Sequence, residues 1–229
     1  MPVFRLSQNH AFPPCELADP DGLLAVGGDL SPQRLLLAYS LGIFPWYSQE
    51  TPILWWSPDP RLVLFPHELK ISRSLFRVLK KKSFTVTFNR AFLQVIKECA
   101  LIRLERGEDT WISPEMVEAY VRLHRLGHAH SVEAWCHDEL AGGLYGVSLG
   151  RVFFGESMFA RRSNASKVAF VHLVHALKRR HFEMIDCQVT TAHLKSLGAR
   201  EISRKKFLLH LKKAVRNDPS PVNWETHEW

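Results

Sequence analysis

The sequence predicts an α/β protein built on a mixed sheet, and two observations carry that prediction. Apolar runs of strand character cluster between residues 130 and 156 with only short turn signals between them, as antiparallel strands require. A long amphipathic stretch then leads into another apolar run at 183–189, the pattern of a crossover helix returning a strand parallel to its neighbours.

Taken in order, residues 1–61 form a small unit of their own character. They hold most of the thirteen prolines, with "GLLAVGGDL" and "GIFPWY" as turn-rich punctuation. Ser31 and Pro32 make an N-cap and first-turn pair for a short helix, "PQRLLLAYSLG", stopped by Gly42. Trp46, Tyr47, Trp55 and Trp56 crowd the end of this unit, flanked by prolines that place them on loops. Four such aromatics make either a small core or interface, or rigid faces on which a base can stack.

From residue 62 to 229 strands and helices alternate. "RLVLF" and "FTVTF" read as strands, and "SRSLFRVLKKK" and "RAFLQVIKECALIRLER" as helices. Ser113 and Pro114 open "PEMVEAYVRLHRLG", with Gly127 at its C′ position. Three strands follow, "HSVEAWCH", "LAGGLYGVS" and "RVFFGE", joined by the turns "DE" and "LGR". A helix over 164–180, the strand "EMIDCQV", a short helix in "TTAHLKSLGA" and a last helix in "SRKKFLLHLKKAV" complete the chain.

Composition narrows the classes. With 46% hydrophobic and 23% charged residues, the 229-residue chain reads as folded rather than disordered. No apolar run approaches the roughly 18 residues that span a bilayer. The first residues lack the charged and apolar regions of a secretion signal, so the expectation is a cytoplasmic protein. Cys15, Cys99, Cys136 and Cys187 are widely spaced, as small buried hydrophobes rather than a disulfide framework or zinc site. The formal net charge of +7 draws a polyanion: RNA, DNA or an anionic membrane.

Within this frame a few constellations carry chemistry. Arg73, Arg77 and Lys80/Lys81 recur at helical spacing, with Lys82 following, either as a cationic ridge for phosphates or as a solvated helix face. The basic cluster at 204–213 reads as the solvated side of an amphipathic helix. His172 with His175, and His124 with His128 and His130, lie near one another without forming a recognisable ligand set, so no metal is expected. In "IDCQV", alternation turns Asp186 and Gln188 to one face and Cys187 to the other. A carboxylate and an amide among apolar neighbours either pair structurally or line a site. The crossover topology sets this strand beside the Gly155 strand, bringing Glu156 near Asp186 and Gln188. A carboxylate-rich pocket of that kind suits a cationic substrate.

The stretch "VFFGESMFARRSNASK" opens the crossover helix where many acyltransferases hold the pyrophosphate of coenzyme A. Such a loop reads Gln/Arg-x-x-Gly-x-Gly/Ala, whose glycines let backbone N–H groups close on the phosphates. Counted from Arg161, the glycine positions hold Asn164 and Ser166. A coenzyme A-dependent N-acetyltransferase is the second enzymatic reading, and a non-catalytic RNA-binding module the reading outside enzymes.

In order and spacing, "GLLAVGGDLSPQRLLLAYSLGIFPW", "ILWWSPDPR", "FFGESMF", "NASK" and "IDCQV" closely resemble the bacterial leucyl/phenylalanyl-tRNA–protein transferases, over about residues 6–224. The resemblance implies a small N-terminal domain before a C-terminal domain of the N-acetyltransferase-like (GNAT-like) fold. It implies transfer of Leu, Phe and, less well, Met from aminoacyl-tRNA to the α-amine of proteins beginning with Arg or Lys. That transfer marks them for N-degron proteolysis. It implies no cofactor, since the aminoacyl ester is already activated, and the expectation is a monomer without a membrane partner. Carried over residue by residue, Asp186 and Gln188 are the catalytic pair, and Glu156 contacts the basic N-terminal residue or its amine. The aminoacyl pocket draws on Leu144, Phe153, Gly155, Ser157, Met158, Leu173, Ile185 and Thr190. Leu144 and Leu173 stand where relatives often carry Met and Phe. Trp46 and Trp111 match aromatics that sandwich the terminal adenosine, and Arg73, Arg77, Lys80, Lys81 and Lys82 would grip acceptor-stem phosphates.

Overall fold

The computed structural model describes residues 3–216 and Trp224. The rest of the expected 62–229 unit, residues 217–223 and 225–229, lies outside the described residues.

Four short strands form the first sheet: β1 (Phe4–Leu6), β2 (Leu23–Gly27), β3 (Phe44–Pro45) and β4 (Leu54–Trp56), in the order β1-β2-β4-β3. Sequence reading takes "GLLAVGGDL" as a turn and the tryptophans as loop residues; Trp46 does lie on a loop, but "LLAVG", Trp55 and Trp56 form strands. Leu24, Ala25 and Trp55 are fully enclosed, and Trp55 donates its indole N–H to the Gly27 carbonyl at 2.8 Å. Burial of the whole indole ring, worth about 3 kcal/mol or more, outweighs the local turn preference of glycine. Between the strands, α1 (Pro32–Ser40) starts as expected, with Ser31 Oγ accepting from the Arg34 amide.

The second sheet holds β5 (Arg61–Leu64), β6 (Thr85–Phe88), β7 (Ala129–Cys136), β8 (Glu139–Leu149), β9 (Val152–Ala160), β10 (Met184–Gln188) and β11 (Arg200–Ile202). Their order is β11-β5-β10-β9-β8-β7-β6. β6 to β9 are antiparallel, and β10 returns parallel to β9 after a crossover through α5 (Ala165–Arg179). This is the mixed α/β arrangement expected, an antiparallel meander followed by a helix and a parallel strand. β5 then extends the sheet on the far side of β10, antiparallel to it, and β11 pairs antiparallel with β5 at the edge. The remaining helices are α2 (Arg73–Lys80), α3 (Phe92–Glu105), α4 (Pro114–Arg125), α6 (Ala192–Ser196) and α7 (Arg204–Arg216).

Strand alternation sorts the core onto two faces. Phe153, Ile185 and Cys187 pack with the apolar side of α5, while Val152, Phe154 and Met184 face a second cluster. That second cluster is continuous with Leu24, Leu35, Tyr39 and Trp55 of the first sheet and α1. The two sheets therefore share one core, and α1 lies close enough to lend side chains to the larger sheet.

Candidate active site

β9 and β10 pair only from Val152/Met184 to Phe154/Asp186 and then part. Two irregularities sit where they separate. Opposite β8, Tyr145 pairs with Ser157 and Gly146 with Gly155, which leaves Glu156 as an extra residue on β9. Opposite β5, Asp186 pairs with Val63 and Gln188 with Leu62, so Cys187 is extra on β10 and Gln188 takes a left-handed φ of 62°. Bulges re-aim side chains beside sites, and here two adjacent strands turn Glu156 and Gln188 toward one another. Gln188 Nε2 donates to Glu156 Oε1 at 2.8 Å.

Glu156 has two further donors. Tyr39 Oη, from α1, donates to Oε1 at 2.8 Å, and Tyr120 Oη, from α4, donates to Oε2 at 2.8 Å. The two tyrosine hydroxyls also touch each other. Both tyrosines are fully buried, whereas Glu156 keeps part of its surface open to the neighbouring cavity. Burial of its carboxyl pushes the Glu156 pKa up to about 7, against the hydroxyl and amide donors, which pull it down. Tyr39, Tyr120 and Tyr145 are held well above their ordinary range, by burial first and by the Glu156 charge second.

Asp186 serves differently from the sequence expectation. Its carboxylate is fully buried and forked by Arg61, with Nε to Oδ1 at 2.8 Å and Nη2 to Oδ2 at 2.7 Å. Oδ1 also accepts the Gln188 amide at 2.9 Å. Asp186 thus grips the left-handed backbone of Gln188 and does not line the cavity. The Arg61 guanidinium, itself fully buried, lies over the rings of Phe44 and Phe207 at 4.7 and 4.6 Å. The carboxylate-rich pocket of the sequence reading is therefore corrected: one acid is neutralised by arginine and the other is enclosed by tyrosines.

A cavity of about 330 Å³ opens in the gap between the strands. Its apolar wall includes Leu144, Phe153, Met158, Leu173 and Ile185, with Gly155 and Ser157 beside them, all expected pocket residues. Phe170 joins them, and Glu156 and Gln188 stand on the polar side. Thr190 does not line it: its side chain is exposed and donates its hydroxyl to Glu201 at 2.6 Å, while its neighbours Val189 and Thr191 do border the cavity. Trp46 and Trp111 border the cavity, Trp46 43% exposed and Trp111 half-buried. Trp46 is braced by Trp56, which donates its indole N–H to the Trp46 carbonyl at 2.6 Å.

Arg73, Arg77 and Lys80 are exposed on α2, but the helix ends at Lys80. Lys82 has a φ of 50°, so the expected ridge is three residues long within the helix, with Lys81 and Lys82 exposed on the turn after it. Arg161 is engaged by Glu98 at 2.6 Å and by Glu105, both on α3. Asn164 caps α5 from a left-handed conformation without a side-chain bond. Among the described residues no cluster of His, Cys, Asp and Glu is placed to hold a metal, and no helix is long and apolar enough to cross a membrane.

Sequence reading missed Arg61, Tyr39 and Tyr120. Nothing local marks them, since each meets its partner 125, 117 and 36 residues away.

A family profile described as leucyl/phenylalanyl-tRNA protein transferase matches residues 63–212, and the profile of that family's N-terminal domain matches 28–59. The chain belongs to the leucyl/phenylalanyl-tRNA protein transferase family. A transferase of that name from Syntrophobacter fumaroxidans is 66% identical over 228 residues, covering 100% of this chain and 96% of its own. Those of an Anaeromyxobacter species and of Aromatoleum aromaticum are 58% and 60% identical, covering 98% and 93% of this chain and 96% and 90% of theirs. Among solved structures, a GCN5-related N-acetyltransferase from Kribbella flavida aligns at a TM-score of 0.37 and 10% identity, covering 75% of this chain and 61% of that one.

Proposed function

We propose that the protein transfers Leu or Phe, and less well Met, from aminoacyl-tRNA to the α-amine of proteins whose first residue is Arg or Lys. It would act as a cytoplasmic monomer in N-degron tagging. Residues 1–61 serve as a small N-terminal unit and 62–229 as the catalytic unit. The observation that carries the reading is an apolar cavity in a chain of this family that ends on a bulged Gln188–Glu156 pair.

In this reading the side chain of the donor amino acid fills the wall formed by Leu144, Phe153, Met158, Leu173 and Ile185. The cavity has the volume for a γ-branched or aromatic group, and small changes in its wall are worth only about 1–3 kcal/mol of discrimination. Trp46 and Trp111 at the rim stack on the terminal adenosine, and Arg73, Arg77 and Lys80–82 meet phosphates. The acceptor amine, hydrogen-bonded by Gln188, attacks the ester carbonyl. A C–N bond forms, the C–O bond to the ribose breaks, and a proton from the amine leaves with the ribose oxygen. Gln188 acts by orientation, since an amide is too weak a base to hold the proton, and Asp186 acts through the Gln188 backbone.

The test mixes the protein with labelled Leu-tRNA and peptides that differ only in the first residue. Label is expected on the Arg and Lys peptides and not on an Ala peptide. Equal labelling of all three, or of none, sinks the reading.

A further inference from the structure

Three hydroxyl or carboxyl contacts close a triangle at the centre of the site: Tyr39 to Glu156 Oε1, Tyr120 to Glu156 Oε2, and Tyr39 to Tyr120. Each contact needs one hydrogen. With Glu156 ionised, the two tyrosines supply only two, and one pair of oxygens is pressed together without a proton between them. With Glu156 protonated there are three hydrogens for three contacts. Oε2 then donates to Tyr120, Tyr120 to Tyr39, and Tyr39 to Oε1, which stays a pure acceptor and also receives the Gln188 amide N–H. That arrangement fixes the orientation of the Gln188 amide and leaves its carbonyl oxygen for the incoming amine.

We propose that Glu156 rests as the neutral acid in this closed ring. Together with the Arg61–Asp186 pair, the ring then presents the acceptor amine with a centre free of unpaired negative charge. The inference rests on the transfer reading above and changes the part Glu156 plays in it. A carboxylate beside the amine would stabilise the ammonium, which cannot attack. A free α-amine titrates at about 7.7–8.0, so a neutral centre admits the free base at little cost, the ammonium proton having gone to solvent. The groups facing Glu156 fit this account. Tyr39 on α1, Tyr120 on α4 and Tyr145 on β8 stay protonated, Cys99 on α3, which acts on Tyr145, is pushed up to about 12 by burial, Gln188 is neutral, and Asp186 is paired by Arg61.

The proton can be counted directly by carbon NMR of protein labelled at the glutamate carboxyls, with Glu156→Gln identifying the Glu156 signal. That signal should report a neutral acid at about pH 6 and titrate well above the ordinary glutamate value of about 4.3. A signal already ionised at about pH 5 overturns the proposal. Finally, Glu156→Gln, which mimics the neutral acid, should keep at least about tenfold more turnover than Glu156→Ala. Equal loss in both variants while the wild type transfers leucine normally overturns the ring and leaves the transfer reading intact. A wild type that transfers nothing defeats the transfer reading while the NMR titration still decides the ring.

Discussion

At the scale of single residues, the site turns on an arginine that the sequence gives no reason to notice. Arg61 is fully buried and bonds Asp186 with a two-pronged fork, and Asp186 in turn holds the amide of Gln188. Arg61→Met keeps the volume but strands a carboxylate in the core, a loss of about 3–5 kcal/mol by denaturant unfolding. Arg61→Lys keeps the charge but not the fork, so it should fall between. The double variant Arg61→Met/Asp186→Asn should recover much of the stability, because no unpaired charge remains. It should not recover turnover, because the grip on the Gln188 backbone is weakened. If the double variant is no more stable than Arg61→Met, burial of the charge is not what makes the single change costly.

At the scale of elements, the bulge on β9 depends on how closely β8 approaches it. Gly146 sits beside the β9 irregularity, and a Cβ there would lie 2.2 Å from the Phe154 carbonyl oxygen and 2.6 Å from the Phe153 ring. Gly146→Ala therefore has to move backbone or push Phe153 into the cavity. Overpacking of this kind costs about 1–3 kcal/mol. The transfer assay should show it as a larger loss with Phe-tRNA than with Leu-tRNA, since the bulkier donor needs the displaced space; equal losses would place the strain elsewhere. The same elements mark what was legible in the sequence. The antiparallel meander, the crossover helix and the parallel "IDCQV" strand could all be read from periodicity, and alternation put Asp186 and Gln188 on one face. The bulges could not be read, since each arises from pairing with a distant strand. β2 and β4 were hidden because their short runs carry glycine and proline signals that tertiary burial overrides. Thr190 was carried by family likeness into a pocket that its neighbours Val189 and Thr191 border while its own hydroxyl turns to Glu201.

At the scale of the whole molecule, two buried groups set opposite slopes of stability against pH. Burial lowers His130 to about 3, and it stacks on Trp224 at 4.6 Å with Asn89 at its Nδ1. The unfolded chain protonates this histidine near 6.5 and the folded one does not, so its contribution is full above that value and is lost as pH falls. Glu156 runs the other way. Its folded value of about 7 lies above the unfolded value, so its contribution is full in acid and is lost as pH rises through neutrality. Between about pH 4.5 and 6.5 each slope is about 1.4 kcal/mol per unit and the two nearly cancel. Half-buried His128, His172 and His193, all lowered first by burial, add to the acid side. His130→Phe should therefore gain on the wild type by about 1.4 kcal/mol for each pH unit of acidification across that window. Glu156→Gln should lose on it by a similar amount, whatever fixed cost either change carries. Urea unfolding at four pH values between about 4.5 and 7.5 measures both differences. A His130→Phe curve parallel to that of the wild type would mean that the folded protein accepts the proton after all. The stacked Trp224 would then have to tolerate an imidazolium against its ring.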